Sequence, residues 1–316
     1  MEKQEKLKNW LLIRLKNLKS IDKFSLSLIV IALFLLSVFV LLPVISVVFN
    51  AFIEPNGNIG LQNFVNLIAT PSYRRGLINS IITASLTLIT TSFIGIPVAY
   101  VMTRFVFTGK KLFTLLTILP LMIPPFVGAL ALVGMLGRNG IITNFLQDFF
   151  IWVGLNISLE NGLILPNIAG IVFIQTFHLW PLIYLNTSAS LSKIDPTLEE
   201  SARNLGSSGF TLFRRITLPL ALPGFAAGAL LVFLWSISDL GTPIMLNFND
   251  YSVFQAFNEL NIQGGYRQMS SVISIVLTAI SALVLLFVNK FVGLKEYATV
   301  RAGAAPKSIQ KKSRKH

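Results

Sequence analysis

Six long apolar runs dominate this sequence and limit what it can fold into. A helix needs about 20 mostly apolar residues to cross the hydrocarbon layer of a membrane, and each run reaches that length. The runs cover residues 24–49, 78–102, 112–136, 164–187, 220–246 and 271–293. The chain is 53% hydrophobic and only 12% charged, which agrees with this pattern. The sequence therefore predicts an all-α polytopic membrane protein with one six-helix domain over 24–293.

The basic residues indicate how these helices are oriented. Of the 26 Lys and Arg residues, 22 fall in segments that six spans place on one side of the membrane. Because cytoplasmic loops are enriched in Lys and Arg, we expect both termini to be cytoplasmic. Residues 1–23 are predicted to form a basic amphipathic leader on the membrane surface, or else a disordered arm, and 294–316 a disordered basic tail. The net charge of +13 then indicates contact with anionic lipid rather than with nucleic acid.

Few residues are available for catalytic or metal chemistry. The chain has no cysteine and only two histidines, His178 and His316, which excludes a thiolate or histidine cluster for a metal. It contains no G-x4-G-K-[ST] phosphate loop. The Gly-Ser-Ser-Gly stretch at 206–209 suggests an intramembrane serine protease, but Ser208 falls in a charged loop and nothing brings His178 to it. We expect no enzyme, no metal and no cofactor in this chain.

A charged insert, residues 195–210, separates the fourth and fifth apolar runs. Asp195 followed by Pro196 predicts a helix N-terminus, since aspartate caps free N–H groups and proline suits the first helical position. Gly206 predicts the end of that helix in a left-handed conformation. An apolar stripe is predicted from Leu198, Ala202 and Leu205. The insert is therefore predicted to be a short helix over 196–205, a break, and a second helix that runs into the fifth span.

Residues in and after this insert follow a family spacing. They are Glu200, Ser201, Ala202, Gly206, Ile216, Leu218 and Pro219. This order resembles the EAA signature, E-A-A-x3-G-x9-I-x-L-P, of permease subunits of bacterial ABC importers, with serine in place of the first alanine. The resemblance implies a type I importer permease fold in the bacterial inner membrane. It also implies that 195–210 is the coupling helix, with Arg203 and Leu205 among the residues that meet the ATPase.

The same resemblance implies the partners of the chain. Two ATPase subunits would bind ATP, a second permease subunit, identical or related, would complete the pore, and an extracytoplasmic binding protein would deliver the cargo. The acidic residues available to that binding protein are Asp148, Glu160, Asp250 and Glu259. The stretches "LPLMIPPFVGALALVGMLGRNGIITNFL" and "SDLGTPIMLN" resemble the ferric iron, phosphonate and polyamine branch. The expected cargo is ferric iron or a phosphonate, with a polyamine as the alternative. Many ferric-iron permeases carry two six-span halves, and this sequence shows one.

Proline and polar residues inside the predicted spans are candidates for lining the transport pathway. They are Pro120, Pro124, Pro125, Gln175, His178 and Asp239. Proline leaves a backbone carbonyl free to face a cavity, and an intramembrane polar group needs a partner or a function. Kinks for packing and ordinary hydrogen bonds between helices are the alternatives. An ion-driven secondary transporter usually needs an internal repeat and several buried acids, whereas only Asp239 falls inside a predicted span.

Overall fold

The structure is a computed structural model, and it describes residues 22–302 except 156, 160, 165 and 262–266. Most of the predicted leader, the end of the predicted tail from residue 303, and Glu160 lie outside the described residues. The described residues are helical, with one isolated antiparallel bridge between Ile53 and Ile59.

Twelve helices, numbered here in chain order, make up the described structure. They are α1 (Lys23–Leu36, a π-helical turn at Ser37–Leu41, and Leu42–Phe52), α2 (Gln62–Ala69), α3 (Pro71–Arg104), α4 (Lys110–Met122), α5 (Pro125–Leu136), α6 (Ile141–Trp152), α7 (Ile168–Leu191), α8 (Pro196–Asn204), α9 (Gly209–Leu212, a π-helical turn at Phe213–Thr217, and Leu218–Ile237), α10 (Gly241–Met245), α11 (Ser252–Asn261) and α12 (Arg267–Ala302).

Six stretches of the described chain are long and apolar enough to cross a membrane, which confirms the predicted class. They are Phe24–Phe52, Pro71–Arg104, Pro125–Trp152, Ile168–Leu191, Gly209–Ile237 and Arg267–Lys290. The first of them is exposed along its length and packs mainly on α12. Most of its apolar side chains are therefore exposed on the surface of the bundle, as suits a helix in contact with lipid or with another subunit.

Two predicted spans are wrong in their extent. The third, 112–136, is not one helix, because α4 ends at Met122 and α5 begins at Pro125. Proline disfavours helical backbone in the residue before it, and Ile123 and Pro124 both precede a proline. Their ψ angles are accordingly 128° and 136°. The fifth, 220–246, is interrupted after Ile237, so Asp239 lies between α9 and α10 rather than inside a span.

Helices α3, α7 and α9 pack on one another at the centre of the bundle. Two glycines permit this close approach. A Cβ added at Gly95 of α3 would lie 2.6 Å from Cβ of Ile183, and one at Gly224 of α9 would lie 2.3 Å from the main-chain oxygen of Asn186. The end of the bundle that carries Arg104, α8 and the start of α9 is called the α8 end below. The end that carries the start of α3, α10 and α11 is called the α11 end.

Candidate functional site

Helix α8 begins as predicted and ends at Asn204, one residue before the predicted end. The Asp195 carboxylate accepts a hydrogen bond of 2.9 Å from the N–H of Thr197. This bond favours the charged form and lowers the pKa of Asp195 below its usual value. Pro196 is the first helical residue. Gly206 follows the helix with a φ of 86°, a conformation that strains other residues. The predicted N-cap and left-handed C-terminal cap are both confirmed.

The predicted apolar stripe on α8 is wrong in part. Ala202 is buried against the bundle, with 8% of its surface exposed, whereas Leu198 and Leu205 are 50% and 89% exposed. Leu205 also lies beyond the last helical residue, Asn204, so it does not share the helix face of Ala202. The remaining predicted coupling residues are exposed at Glu200, Ser201, Arg203, Gly206 and Pro219, and half-buried at Ile216 and Leu218. The exposed surface here therefore combines Leu198 and charged side chains of α8 with Leu205 just after the helix.

The face of α8 that meets the bundle carries a charge that sequence reasoning missed. Glu199 is buried, and its Oε1 accepts hydrogen bonds from Nη2 of Arg104 at 2.6 Å and from the hydroxyl of Thr217 at 3.0 Å. Glu199 and Ala202 are three residues apart, a spacing that places them on one helix face. Because Ala202 was expected on the apolar stripe, its three-residue spacing from Glu199 could have identified Glu199, and not Glu200, as the glutamate that faces the bundle.

A cavity of about 490 Å³ lies between α5, α7 and the break that separates α9 from α10. Its lining includes four predicted pathway residues, Pro125, Gln175, His178 and Asp239. Pro120 lies inside α4 and Pro124 at the break before α5, and neither lines the cavity. The cavity thus brings together four of the candidates, from three parts of the chain, and leaves out Pro120 and Pro124.

Two of these four residues, Gln175 and Asp239, have their polar atoms paired by hydrogen bonds within the protein. The amide nitrogen of Gln175 donates to Oδ2 of Asp239 at 2.9 Å, and its amide oxygen accepts from Ser236 at 2.6 Å. The other oxygen of Asp239 accepts from the N–H groups of Gly241 and Thr242, the first residues of α10. A half-buried carboxylate such as that of Asp239 is stabilised when donors surround it in this way. Gln175 and Asp239 therefore hold the α9–α10 break in place.

His178 differs from its neighbours in the cavity wall. Only 9% of its surface is exposed, and its Nε2 has no hydrogen-bond partner among the described residues. Buried polar groups are normally paired, so an unpaired one calls for an explanation. Of the predicted pathway residues, His178 is the one whose polar atom is not already engaged by the protein.

Comparison with known proteins agrees with the signature and the fold. Residues 92–294 match the family described as binding-protein-dependent transport system inner membrane component. The chain belongs to this family. Its members are membrane subunits of transporters, which agrees with the expectation that the chain is a transport subunit rather than the ATPase.

Two curated relatives of the chain are permease proteins. The ferric transport system permease protein FbpB of Actinobacillus pleuropneumoniae is 25% identical over 281 residues, which are 88% of this chain. The chain spans only 40% of the length of that relative. The molybdenum transport system permease protein ModB of Mycobacterium tuberculosis is 28% identical over 256 residues, 80% of this chain and 89% of the relative. These two relatives are named for different cargoes.

A solved structure shares the fold. A chain of a bacterial ABC transporter that imports the acidic polysaccharide alginate superposes with a TM-score of 0.68 and 20% sequence identity. The match covers 88% of this chain and 97% of the other. The six-helix architecture of an ABC importer membrane subunit is thereby confirmed.

Proposed function

We propose that this chain and a second permease subunit form the pathway of an ATP-driven importer, and that α8 docks on a cytoplasmic ATPase subunit. The observation that carries the proposal is the two-sided character of α8. Its Glu199 face is fixed to the bundle, while Leu198, Glu200 and Leu205 are exposed at the end of the membrane helices. Such a helix suits an apolar groove on a partner, with the charge setting its orientation. The excess of Lys and Arg supports a cytoplasmic location for this end.

The proposed cargo is an inorganic ion delivered by an extracytoplasmic binding protein. Ferric iron comes first, because the two stretches noted above resemble that branch and a ferric permease matches 88% of the chain. Molybdate is the second candidate, since the ModB relative matches most of both chains. Neither relative is named for a phosphonate or a polyamine, so these two earlier candidates gain no support. His178 lines the cavity, and its buried Nε2 has no hydrogen-bond partner within the described chain, so this residue is the proposed contact for cargo once its side chain turns Nε2 toward the cavity.

Docking is tested by co-expression with the ATPase subunit of the same transport system. We expect the wild-type chain to purify with the ATPase, and Leu205→Asp and Glu200→Arg to lose it while remaining folded in detergent. Leu260→Asp is the matched control, because Leu260 is also exposed but lies on α11 at the opposite end. Equal loss with the control, or no ATPase with the wild type, would contradict the proposal.

Cargo is tested in vesicles that contain the complete transporter and its binding protein. Uptake of radiolabelled ferric iron and of molybdate is compared in the same preparation, with and without ATP inside. We expect ATP-dependent uptake of ferric iron. If only molybdate is taken up, molybdate and not ferric iron is the cargo. Uptake without ATP would favour an ion-driven secondary transporter over an ATP-driven importer.

A further inference from the structure

Two adjacent glutamates of α8 have opposite surroundings. Glu200 is exposed, whereas Glu199 is 8% exposed and points into the bundle. One oxygen of Glu199 accepts from both Arg104 and Thr217. The bond to Arg104 is short, as expected when both partners are charged. A residue placed in this way joins α8 to other parts of the chain instead of offering a surface to a partner.

The two donors belong to different membrane helices. Arg104 is the last residue of α3, and Thr217 is the last residue of the π-helical turn inside α9. Helices α3 and α9 both belong to the packed centre of the bundle. A single carboxylate oxygen therefore connects the surface helix to two of the three central helices.

Burial makes this connection difficult to open. The side chains of Arg104 and Glu199 are 20% and 10% exposed, and Nε of Arg104 already lacks a partner within the described chain. Separation of the pair would leave a largely buried charge without its counter-ion, which is strongly unfavourable. By contrast, α8 otherwise packs chiefly on the first turns of α9. The ion pair is thus what ties α8 to α3.

We infer that Glu199 is a positioning residue that makes α8, the end of α3 and the start of α9 move as one body. A displacement of α8 is then passed to both central helices instead of being absorbed by sliding of α8. The inference rests on the proposed docking of an ATPase at α8, and it assigns the transmission of that motion to one buried carboxylate. Rigid transmission needs helices that move without sliding past one another, and the shared carboxylate provides that link between α8, α3 and α9.

The central test is Glu199→Gln in the complete transporter in vesicles. Glutamine has the same shape and still accepts hydrogen bonds, but it removes the charge that holds Arg104. We expect the variant to bind the ATPase and to lose less stability than Glu199→Ala, because the glutamine oxygen can still accept the bond from Arg104. The cargo transported per ATP hydrolysed should fall about tenfold, the size of a typical coupling free energy between sites. The matched control is Glu54→Gln, because Glu54 also accepts two side-chain or backbone hydrogen bonds but lies in the loop between α1 and α2.

A charge exchange separates a positioning role from a folding role. In the double variant Glu199→Arg with Arg104→Glu, the ion pair is restored with reversed direction, and we expect coupling to recover above that of either single variant. The inference is overturned if Glu199→Gln transports as much cargo per ATP as the wild type and the control. It is also overturned if the exchange restores assembly but not coupling. Failure of the wild type to bind an ATPase would instead overturn the proposed function itself.

Discussion

The long helix α3 carries an ion pair near each of its ends, and the two pairs have opposite surroundings. Near the start of α3, Nε of Arg75 lies 3.2 Å from Oδ2 of Asp250, with side chains 57% and 36% exposed. At the end, Nη2 of Arg104 lies 2.6 Å from Oε1 of Glu199, with side chains 20% and 10% exposed. Water can replace the first pair but not the second. Only the second pair can therefore fix the position of one element against another.

The α11 end is held by several separate hydrogen bonds instead of by one shared carboxylate. The hydroxyl of Ser80 accepts from the N–H of Ser252 at 3.0 Å, and the amide of Asn79 donates to the carbonyl of Asp250 at 2.9 Å. Gln255 donates to the carbonyl of Ser72 at 3.0 Å. These bonds are independent of one another, so loss of one leaves the others. At the α8 end, one carboxylate carries the connection, and we expect substitutions there to have larger effects.

The largest expected effect is that of Glu199→Ala. It should lower the free energy of unfolding by about 3 kcal/mol, because it leaves Arg104 largely buried without its counter-ion. Replacement of both partners, Glu199→Leu with Arg104→Met, should bring stability back to within about 1 kcal/mol of the wild type, since no unpaired charge remains. Denaturant unfolding in detergent, followed by tryptophan fluorescence, measures both.

The double apolar variant also separates stability from coupling. If the inference about Glu199 is correct, this variant is stable but transports less cargo per ATP than the wild type. If the double variant is as unstable as Glu199→Ala, lost packing and not the unpaired charge causes the loss in free energy of unfolding. In that case the contrast between the two ends of α3 would not be one of electrostatics.

The α8 region shows what a sequence can predict locally. The N-cap at Asp195 and the cap at Gly206 depend on neighbouring residues, and both are confirmed. The partner of Glu199, however, lies 95 residues away in the chain. The spacing to Ala202 can mark Glu199 as the buried glutamate, but no local pattern identifies Arg104 as its partner, so the pair depends on how α3, α8 and α9 pack.

At the cavity, too, local features were predictable from the sequence and contacts between distant residues were not. The proline pair at Pro124 and Pro125 was a local signal for a helix break, and hydropathy alone concealed it because the residues around it are apolar. The sequence indicated Gln175 and Asp239 as polar residues at membrane depth, but not that they bind each other across 64 positions. Local chemistry thus predicted which residues are unusual, and only the fold shows which of them are already satisfied.

A smaller effect is expected from adding a methyl group to α3. At Gly95, a new Cβ would meet Cβ of Ile183 at 2.6 Å and the carbonyl oxygen of Trp180 at 3.0 Å, neither of which can turn away. At Gly76, it would meet the amide oxygen of Gln255 at 2.1 Å, the end of a flexible side chain. We expect Gly95→Ala to destabilise by about 2 kcal/mol, as overpacking does. Gly76→Ala should cost about 1 kcal/mol, the value of the Gln255 hydrogen bond.

The same unfolding measurement compares these two alanine variants. A larger loss for Gly76→Ala would show that the α11 end is the less adaptable one. The proposed difference between redundant bonds at that end and a single connection at the α8 end would then be wrong.

The smallest expected effect is that of the exposed pair, Arg75 and Asp250. A double-mutant cycle with Arg75→Gln and Asp250→Asn should give an interaction of about 0.5 kcal/mol, because both side chains are hydrated and keep little of their mutual attraction. The bond from Asn79 goes to the main chain of Asp250 and survives the change.

In about 1 M salt, where charges are screened beyond about 3 Å, the interaction between Arg75 and Asp250 should nearly vanish. The corresponding cycle for Arg104 and Glu199 should change little with salt, since ions do not reach the buried pair. An interaction at Arg75 that equals the buried one, or that resists salt, would contradict the view that burial alone distinguishes the two ends of α3.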